Sequence, residues 1–309
     1  MKTAVKIRNL VKNYNGVNAV DHLNLDVPEG SIYGFLGPNG AGKTTTLKMI
    51  VGMTAPTEGG IEIFGNKLTF GSDNYRDEIG FLPDVPGFYD WMSAKEFIEF
   101  SGSLYHIKPD ILKKRTKELL EMVGLTKSAN KKVGEFSRGM KQRLGIAQAL
   151  VNNPKIILLD EPVSALDPMG RKEVMDIIGS LAGKVTVFFS SHILADVERI
   201  CDRVIIIKDG KAILEDSIEH IRQLSNSREI EIEFENIDSE TFLSLIKNAT
   251  WLESIKNGGK KVSIEVNDLN QARTEINEII CKQNIFLRKF IIAEATLEDI
   301  FIKVVNENA

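Results

Sequence analysis

The chain has 309 residues, 43% hydrophobic and 27% charged, with a net charge of −4. This composition suits a soluble globular protein with more than one domain, and the acidic balance excludes the basic footprint of a nucleic-acid binder. The longest apolar runs, among them "KIILLD" and "VTVFF", fall far short of the ~20 residues that a membrane-spanning helix needs.

The N-terminal "MKTAVKIRNLVKNY" alternates polar and apolar residues and lacks the apolar block of a signal peptide. The expected location is therefore the cytoplasm, with any membrane role carried by a partner. Strand-like segments follow one another: residues 4–14, 18–27, 30–37 and 59–65, with turns at Asn15-Gly16, Pro28-Glu29-Gly30 and Gly59-Gly60. One helix interrupts them, opening inside "GPNGAGKTT" and running through "KTTTLKMIVGM". From Ser93 to Leu150 the pattern is helical; Ser93 and Glu96 have capping-box spacing, and the apolar spacing of residues 110–125 stops at Gly124. Two buried-strand blocks, "KIILLD" and "KVTVFFSS", flank a helix that starts at Pro168, a rhythm that predicts an α/β core with parallel strands. Residues 202–217 read as a hairpin turning at Asp209-Gly210.

Beyond Ser225 the texture changes, with 15 acidic against 10 basic side chains in residues 225–309. The order there is strand, helix, strand, turn at Gly258-Gly259, strand, helix, strand and a final helix "TLEDIFIKVVN", which suggests a small ferredoxin-like α+β unit. The domains are accordingly 1–224, with a helical subdomain at about 85–150, and 225–309. Cys201 and Cys281 match no metal or redox spacing and read as reduced, mostly buried small hydrophobes.

Four elements carry chemistry. In Gly37-x-x-x-x-Gly42-Lys43-Thr44, between a strand and a helix, backbone N–H groups can turn around a polyphosphate at the helix N-terminus. Lys43 reaches the terminal phosphates in such a loop, and the Thr44 hydroxyl ligates Mg²⁺. "KIILLDEP" places Asp160 and Glu161 at the end of a core strand, where Asp160 suits the Mg²⁺ shell and Glu161 a water-polarising role. Ser137 and the N–H of Gly139 start another helix, which taken alone is an ordinary cap and lies 100 positions after Gly37. His192 follows the strand "VTVFFSS"; a lone histidine there is usually structural, but beside the other three elements it reads as functional.

Together these elements resemble, in order and spacing, the nucleotide-binding subunits of ABC transporters, over roughly residues 1–220. "GPNGAGKTT" resembles the Walker A loop (Gly37, Pro38, Asn39, Gly40, Ala41, Gly42, Lys43, Thr44 and Thr45), "FSRGMKQR" the family signature and "IILLDEP" the Walker B strand. Ser164 to Asp167 is similar to the D-loop, His192 to the switch histidine, and Tyr14 to the aromatic that stacks on adenine. The resemblance implies a P-loop NTPase fold and a head-to-tail dimer, with each ATP between the Walker A loop of one chain and the signature of the other. It also implies that Glu161 is the general base, that His192 holds the γ-phosphate region, and that Thr44 and Asp160 hold Mg²⁺.

Two departures stand out. Arg138 and Met140 replace a glycine and a glutamine of the usual LSGGQ, while Ser137 and Gly139 keep the anion-binding end. Asp84 stands where the family offers glutamine, and a carboxylate there remains a Mg²⁺ ligand. Both departures, and the C-terminal "ATLEDIFIKV", resemble the branch serving ABC-2-type exporters of peptide-antibiotic resistance and sodium extrusion. That branch implies a separate permease and pairing either with a second copy or with a related ATPase. Phe88, Tyr89 and Trp91 then read either as docking aromatics or as packing of the helical subdomain. A soluble ABC protein acting on ribosomes is the alternative, but such factors carry two cassettes joined by a charged linker. A chromosome-maintenance ATPase needs a long coiled coil that the 100 residues between Gly37 and Ser137 cannot hold.

Overall fold

The first two strands, β1 (Thr3–Tyr14) and β2 (Val17–Pro28), pair antiparallel across the Asn15-Gly16 turn; β2 buries alternate side chains, while the irregular β1 buries the neighbours Ala4 and Val5 and the neighbours Leu10 and Val11. The third, β3 (Ile32–Leu36), buries all five residues and leaves that pair for a different sheet. A computed structural model of the protein describes residues 2–71, 75–224 and 229–293. After β3 come α1 (Lys43–Ile50), β4 (Glu58–Ile63), β5 (Asn66–Lys67) and β6 (Ile79–Leu82), then the helices α2 (Ala94–Ser103), α3 (Pro109–Met122) and α4 (Arg138–Ala149). The core resumes with β7 (Ile156–Leu159), α5 (Pro168–Gly179), β8 (Thr186–Ser191), α6 (Leu194–Ile200), β9 (Arg203–Lys208) and β10 (Lys211–Ser217), and α7 (Ile218–Leu224) follows.

Two sheets share the first unit, Met1–Ile218. One has the order β2-β1-β4-β5 and is antiparallel; the other has the order β10-β9-β3-β8-β7-β6 and is parallel except where β10 pairs β9. Every residue of β7 and β8 is buried, as expected of parallel strands covered on both faces. The expected α/β core with parallel strands is therefore present, with β10 added antiparallel at one side, and the C-terminal ends of β3, β6, β7 and β8 lie along one edge. In open sheets of this kind that edge is where ligands bind.

The segment leading to Asp84, "IGFLPDVPGFY", to which no strand was assigned from the sequence, contains a short strand, β6. Four residues closed by Pro83 are too few to show an alternation, yet pairing with β7 (Leu82 opposite Leu159) brings the loop after it beside Asp160. The helices α2 to α4 occupy the expected helical stretch. Ser93 and Glu96 form the capping box: the Glu96 N–H donates to Ser93 Oγ at 3.2 Å, and the Ser93 N–H donates to Glu96 Oε2 at 2.8 Å. That backbone donor holds the Glu96 carboxyl below its ordinary range. Phe88 is half-buried, edge-on to Phe97 at 5.1 Å, whereas Tyr89 and Trp91 are 48% and 67% exposed. Phe88 thus packs the subdomain; Tyr89 stands edge-on to Phe100 at 5.5 Å with about half of its surface open, and Trp91 is the most open of the three.

The second unit, Glu219–Ala309, begins at the head of α7, ahead of the 224/225 junction expected from composition. It contains β11 (Glu229–Phe234), α8 (Ser239–Ile246), β12 (Leu252–Gly258), β13 (Lys261–Val266), α9 (Leu269–Lys282) and β14 (Leu287–Ala293). The antiparallel order β12-β13-β11-β14 with two helices is the expected ferredoxin-like arrangement. The expected last helix, "TLEDIFIKVVN", lies outside the described residues. Trp251 is fully buried in this unit's core, and its Nε1 donates to Glu275 Oε2 at 2.7 Å. Trp251→Ala is expected to destabilise this unit by about 3–5 kcal/mol. Denaturant unfolding followed by circular dichroism checks this, and an unchanged midpoint contradicts it.

Both cysteines are free, but only Cys201 is buried, and burial pushes its thiol up. Cys281 is exposed, contrary to expectation, because it lies on the solvent side of the amphipathic α9, whose buried residues are Ala272 and Ile276.

Candidate functional site

The loop from Gly37 to Gly42 joins the end of β3 to the start of α1 and is held from several sides. The Gly37 N–H donates to the carbonyl of Ser191, at the end of β8, at 3.2 Å. The Gly210 N–H, from the β9–β10 turn, donates to the Ala41 carbonyl at 3.2 Å. Gly42 has a φ of 102°, and a Cβ there would run into the Ala19 carbonyl of β2; Gly37 is similarly tight against Ile207. These two positions explain why the loop needs bare backbone. Gly42 is also the N-cap of α1 and brings no capping side chain, so the first-turn N–H groups remain available to an anion. Pro38, Asn39, Gly40 and Thr44 are exposed, Thr45 is half-buried, and Ala41 and Gly42 are buried.

Lys43 is 6% exposed. Its ammonium donates to the carbonyls of Gly37 at 2.6 Å and Pro38 at 3.1 Å, and lies 3.2 Å from Glu161 Oε1. The contact with Glu161 is an ion pair without hydrogen-bond geometry, since Oε1 is buried and accepts no hydrogen bond. Glu161 Oε2 in turn lies 2.9 Å from His192 Nδ1. Lysine, glutamate and histidine therefore form one line across the ends of β3, β7 and β8. Asp160 is 2% exposed, and its Oδ1 accepts from Ser190 Oγ at 2.6 Å. Glu161 adopts a φ of 47°, a left-handed conformation uncommon for a side-chain-bearing residue.

Asp84 follows β6 at the same edge, and its Oδ1 is buried without a hydrogen-bond partner. Tyr14 ends β1; it is 48% exposed, with Lys12 Nζ 5.0 Å from its ring centroid. Its neighbour across the turn is Val17, two residues before the Ala19 that touches Gly42. Ser137 and Gly139 stand apart: among the described residues no hydrogen bond or ion pair joins them to Gly37–Thr45. Ser137 caps α4, its Oγ accepting from the Met140 N–H at 3.3 Å, and Gly139 faces Gly170 at the start of α5. Asp167, in the segment Ser164–Asp167, is the N-cap of α5.

Sequence reasoning assigned no role to Ser190 and Ser191. Ser190 is fully buried between Asp160 and Glu161, and the Ser191 hydroxyl accepts the Ile193 N–H at 3.0 Å, turning the chain so that His192 follows β8. Two adjacent hydroxyls directly after the apolar Val187–Phe189 of a buried strand were the available signal, because such a strand seldom buries polar groups without a purpose.

Comparison with known proteins gives this geometry a family. The ABC transporter family model matches residues 20–164. The model described as ATP-binding protein DrrA1-3-like, C-terminal domain, matches residues 217–305. The chain is 37% identical over 304 residues to an uncharacterized ABC transporter ATP-binding protein, YxlF, of Bacillus subtilis, covering 98% of this chain and 99% of that protein. The chain belongs to the ABC transporter ATP-binding proteins. The bacitracin transport ATP-binding protein BcrA of Bacillus licheniformis is 38% identical over 307 residues, covering 99% of this chain and 98% of that protein. Among solved structures, the dimeric ATP-binding cassette MJ0796 in a post-hydrolysis state with ADP and phosphate superposes with a TM-score of 0.63. It is 31% identical and covers 69% of this chain and 98% of that one. As a member of this family, the ABC protein described here is an ATP-binding and ATP-hydrolysing subunit of a transporter. None of its helices, among the described residues, is long and apolar enough to cross a membrane.

Proposed function

We propose that ATP binds along the strand-end edge and that its hydrolysis energises export through a separately encoded permease. The observation that carries this is the line Lys43–Glu161–His192 beside an uncapped helix N-terminus. Tyr14 stacks on the adenine, the N–H groups of Gly37 to Thr45 receive the phosphates, and Lys43 addresses the β- and γ-phosphates. The lysine has three donors, two of which hold the Gly37 and Pro38 carbonyls. The third makes no hydrogen bond to Glu161, whose Oε1 is held by charge alone at 3.2 Å, and is the one a triphosphate takes; this frees Glu161 Oε1.

The acidic residues fit Mg²⁺. Asp84 Oδ1 is a buried oxygen without a partner, only one oxygen of Asp160 is tied by Ser190, and the Thr44 side chain is exposed at the helix mouth. Few protein oxygens suffice for an ion that keeps waters and shares phosphate oxygens. Thr44, Asp84 and Asp160 hold it. When bound, Mg²⁺ neutralises charge on the β- and γ-phosphates. Glu161 Oε1, released from Lys43, accepts a proton from the attacking water as the water oxygen bonds the γ-phosphorus and the bond to the β-phosphate oxygen breaks. His192 steadies Glu161 through Oε2, and the edge is restored once ADP and phosphate leave and the proton passes from Glu161 to the departing phosphate or solvent.

Ser137 and Gly139 share no hydrogen bond or ion pair with this edge among the described residues, and they serve the nucleotide of a second chain turned head to tail. That second chain is another copy or a related ATPase. Similarity to the bacitracin-transport proteins and the DrrA-like C-terminal match support export by an ABC-2-type permease. The protein then works at the cytoplasmic face of the membrane, held there by the permease. The exposed Tyr89 and Trp91 are its proposed contacts.

Purification of the Glu161→Gln protein from its native cells, in mild detergent with Mg-ATP, is expected to recover a polytopic membrane protein. That recovery is expected to be lost when Tyr89 and Trp91 are both changed to alanine. Ribosomal proteins in its place, or no membrane protein, overturn the transport reading and leave the ATPase chemistry untouched.

A further inference from the structure

We infer that Ser190 is a positioning residue for the reaction: its buried hydroxyl orients Asp160 toward the metal ion and fixes the backbone of Glu161. This rests on the reading of the site given above. Ser190 is 0% exposed, and it directly follows the buried apolar residues Val187, Phe188 and Phe189 of β8. A hydroxyl in that place costs stability unless both of its hydrogen-bonding functions are met. They are met by the acidic pair itself. Parallel pairing sets Leu158 opposite Phe188 and Leu159 opposite Phe189, so the next step of the ladder brings Asp160 to Ser190.

The directions of the two bonds are fixed by their chemistry. The Glu161 N–H can only donate, so at 2.9 Å the Ser190 oxygen must accept. The single hydroxyl proton is then left for Asp160 Oδ1 at 2.6 Å. No other hydrogen bond holds the Asp160 side chain among the described residues, so this one sets its rotation. Only Oδ1 is tied, and the rest of the carboxylate remains for the ion.

The second bond bears on Glu161. Its φ of 47° persists only where neighbours over-determine it. The Ser190 oxygen on its N–H and the Ser164 N–H on its carbonyl at 3.0 Å are those neighbours. Ser190 also lies on the strand that ends at His192, so one buried hydroxyl links the ion-binding acid, the proposed base and the histidine-bearing strand. Fully buried, with its hydroxyl taken up by these two bonds, it acts through Asp160 and Glu161.

Ser190→Ala and Ser190→Thr test this. The alanine variant is expected to lose about 10–100-fold in kcat, the usual scale for removing a partner that orients a metal ligand. It also needs more Mg²⁺ for half-maximal turnover and binds Mn²⁺ more weakly in electron paramagnetic resonance titrations with a non-hydrolysable ATP analogue. ATP affinity in the presence of EDTA stays as in the wild type. Threonine, which keeps the hydroxyl, restores most of both properties. Wild-type kcat and metal requirement in Ser190→Ala overturn the inference. So does an equal loss in alanine and threonine variants that tracks a fall in thermal midpoint, which marks packing alone. If the alanine variant does not fold, Ser190→Cys keeps the volume while weakening both bonds, and the same readouts decide. Failure of the wild-type protein to hydrolyse ATP would remove the site reading together with this inference, whereas an active wild type matched by Ser190→Ala removes the role of Ser190 alone.

Discussion

Glu161→Gln is expected to lower ATP turnover by a factor on the order of 100 or more, the contribution usual for a positioned general base. Glutamine keeps nearly the same shape and can still meet His192 Nδ1, which lies 2.9 Å from Oε2 in the native protein. What it loses is the ability to take a proton from water. The substitution also removes the negative charge 3.2 Å from Lys43, so the lysine no longer has to choose between Glu161 and a phosphate. ATP affinity is therefore expected to hold or improve while kcat falls, a split that separates proton transfer from binding. Single-turnover hydrolysis alongside equilibrium binding checks both halves, and wild-type turnover in this variant refutes the base assignment.

Lys43→Ala is expected to weaken ATP binding by roughly 10–100-fold, the effect of one or two lost hydrogen bonds to a charged group. The loss is larger than a surface lysine would give, because Lys43 is buried and also donates to the Gly37 and Pro38 carbonyls. Removing it strips the loop of an internal brace and leaves Glu161 beside Asp160 without a cation. Lys48, exposed on the same helix, is the control whose removal should leave affinity unchanged. Unchanged affinity in Lys43→Ala, measured by displacement of a fluorescent ATP analogue, contradicts the phosphate role of the loop.

Much of this site was legible in the sequence because each motif is contiguous. The glycine loop sits between a five-residue buried strand and a helix, and both flanks can be read locally. The acidic pair ends a run of four buried aliphatics, which announces a central strand and the position of its end. The capping box at Ser93 and the strand and helix order of the C-terminal unit as far as β14 were equally local and appear as expected. What escaped was set by pairing between distant segments. The strand Ile79–Leu82 is only four residues long, and its partner β7 lies far along the chain. The departure of β3 from the β1–β2 hairpin to a second sheet leaves no local mark, because a strand pattern does not name its neighbour. Ser190 looked like the polar end of a strand until register placed it against Asp160. The contact of Lys43 with Glu161 joins two motifs whose separate meanings were clear and whose mutual competition was not.

The central claim is that ATP joins two chains head to tail, with Ser137 of one completing the site of the other. Light scattering of the Glu161→Gln protein, 34.4 kDa as a single chain, with and without Mg-ATP tests it most directly. The account predicts that the mass doubles with Mg-ATP. It also predicts that adding Ser137→Glu, which sets a carboxylate against the partner's γ-phosphate at the head of α4, keeps the protein a single chain. A single chain at saturating Mg-ATP in the Glu161→Gln protein, or a dimer indifferent to Ser137→Glu, would contradict it.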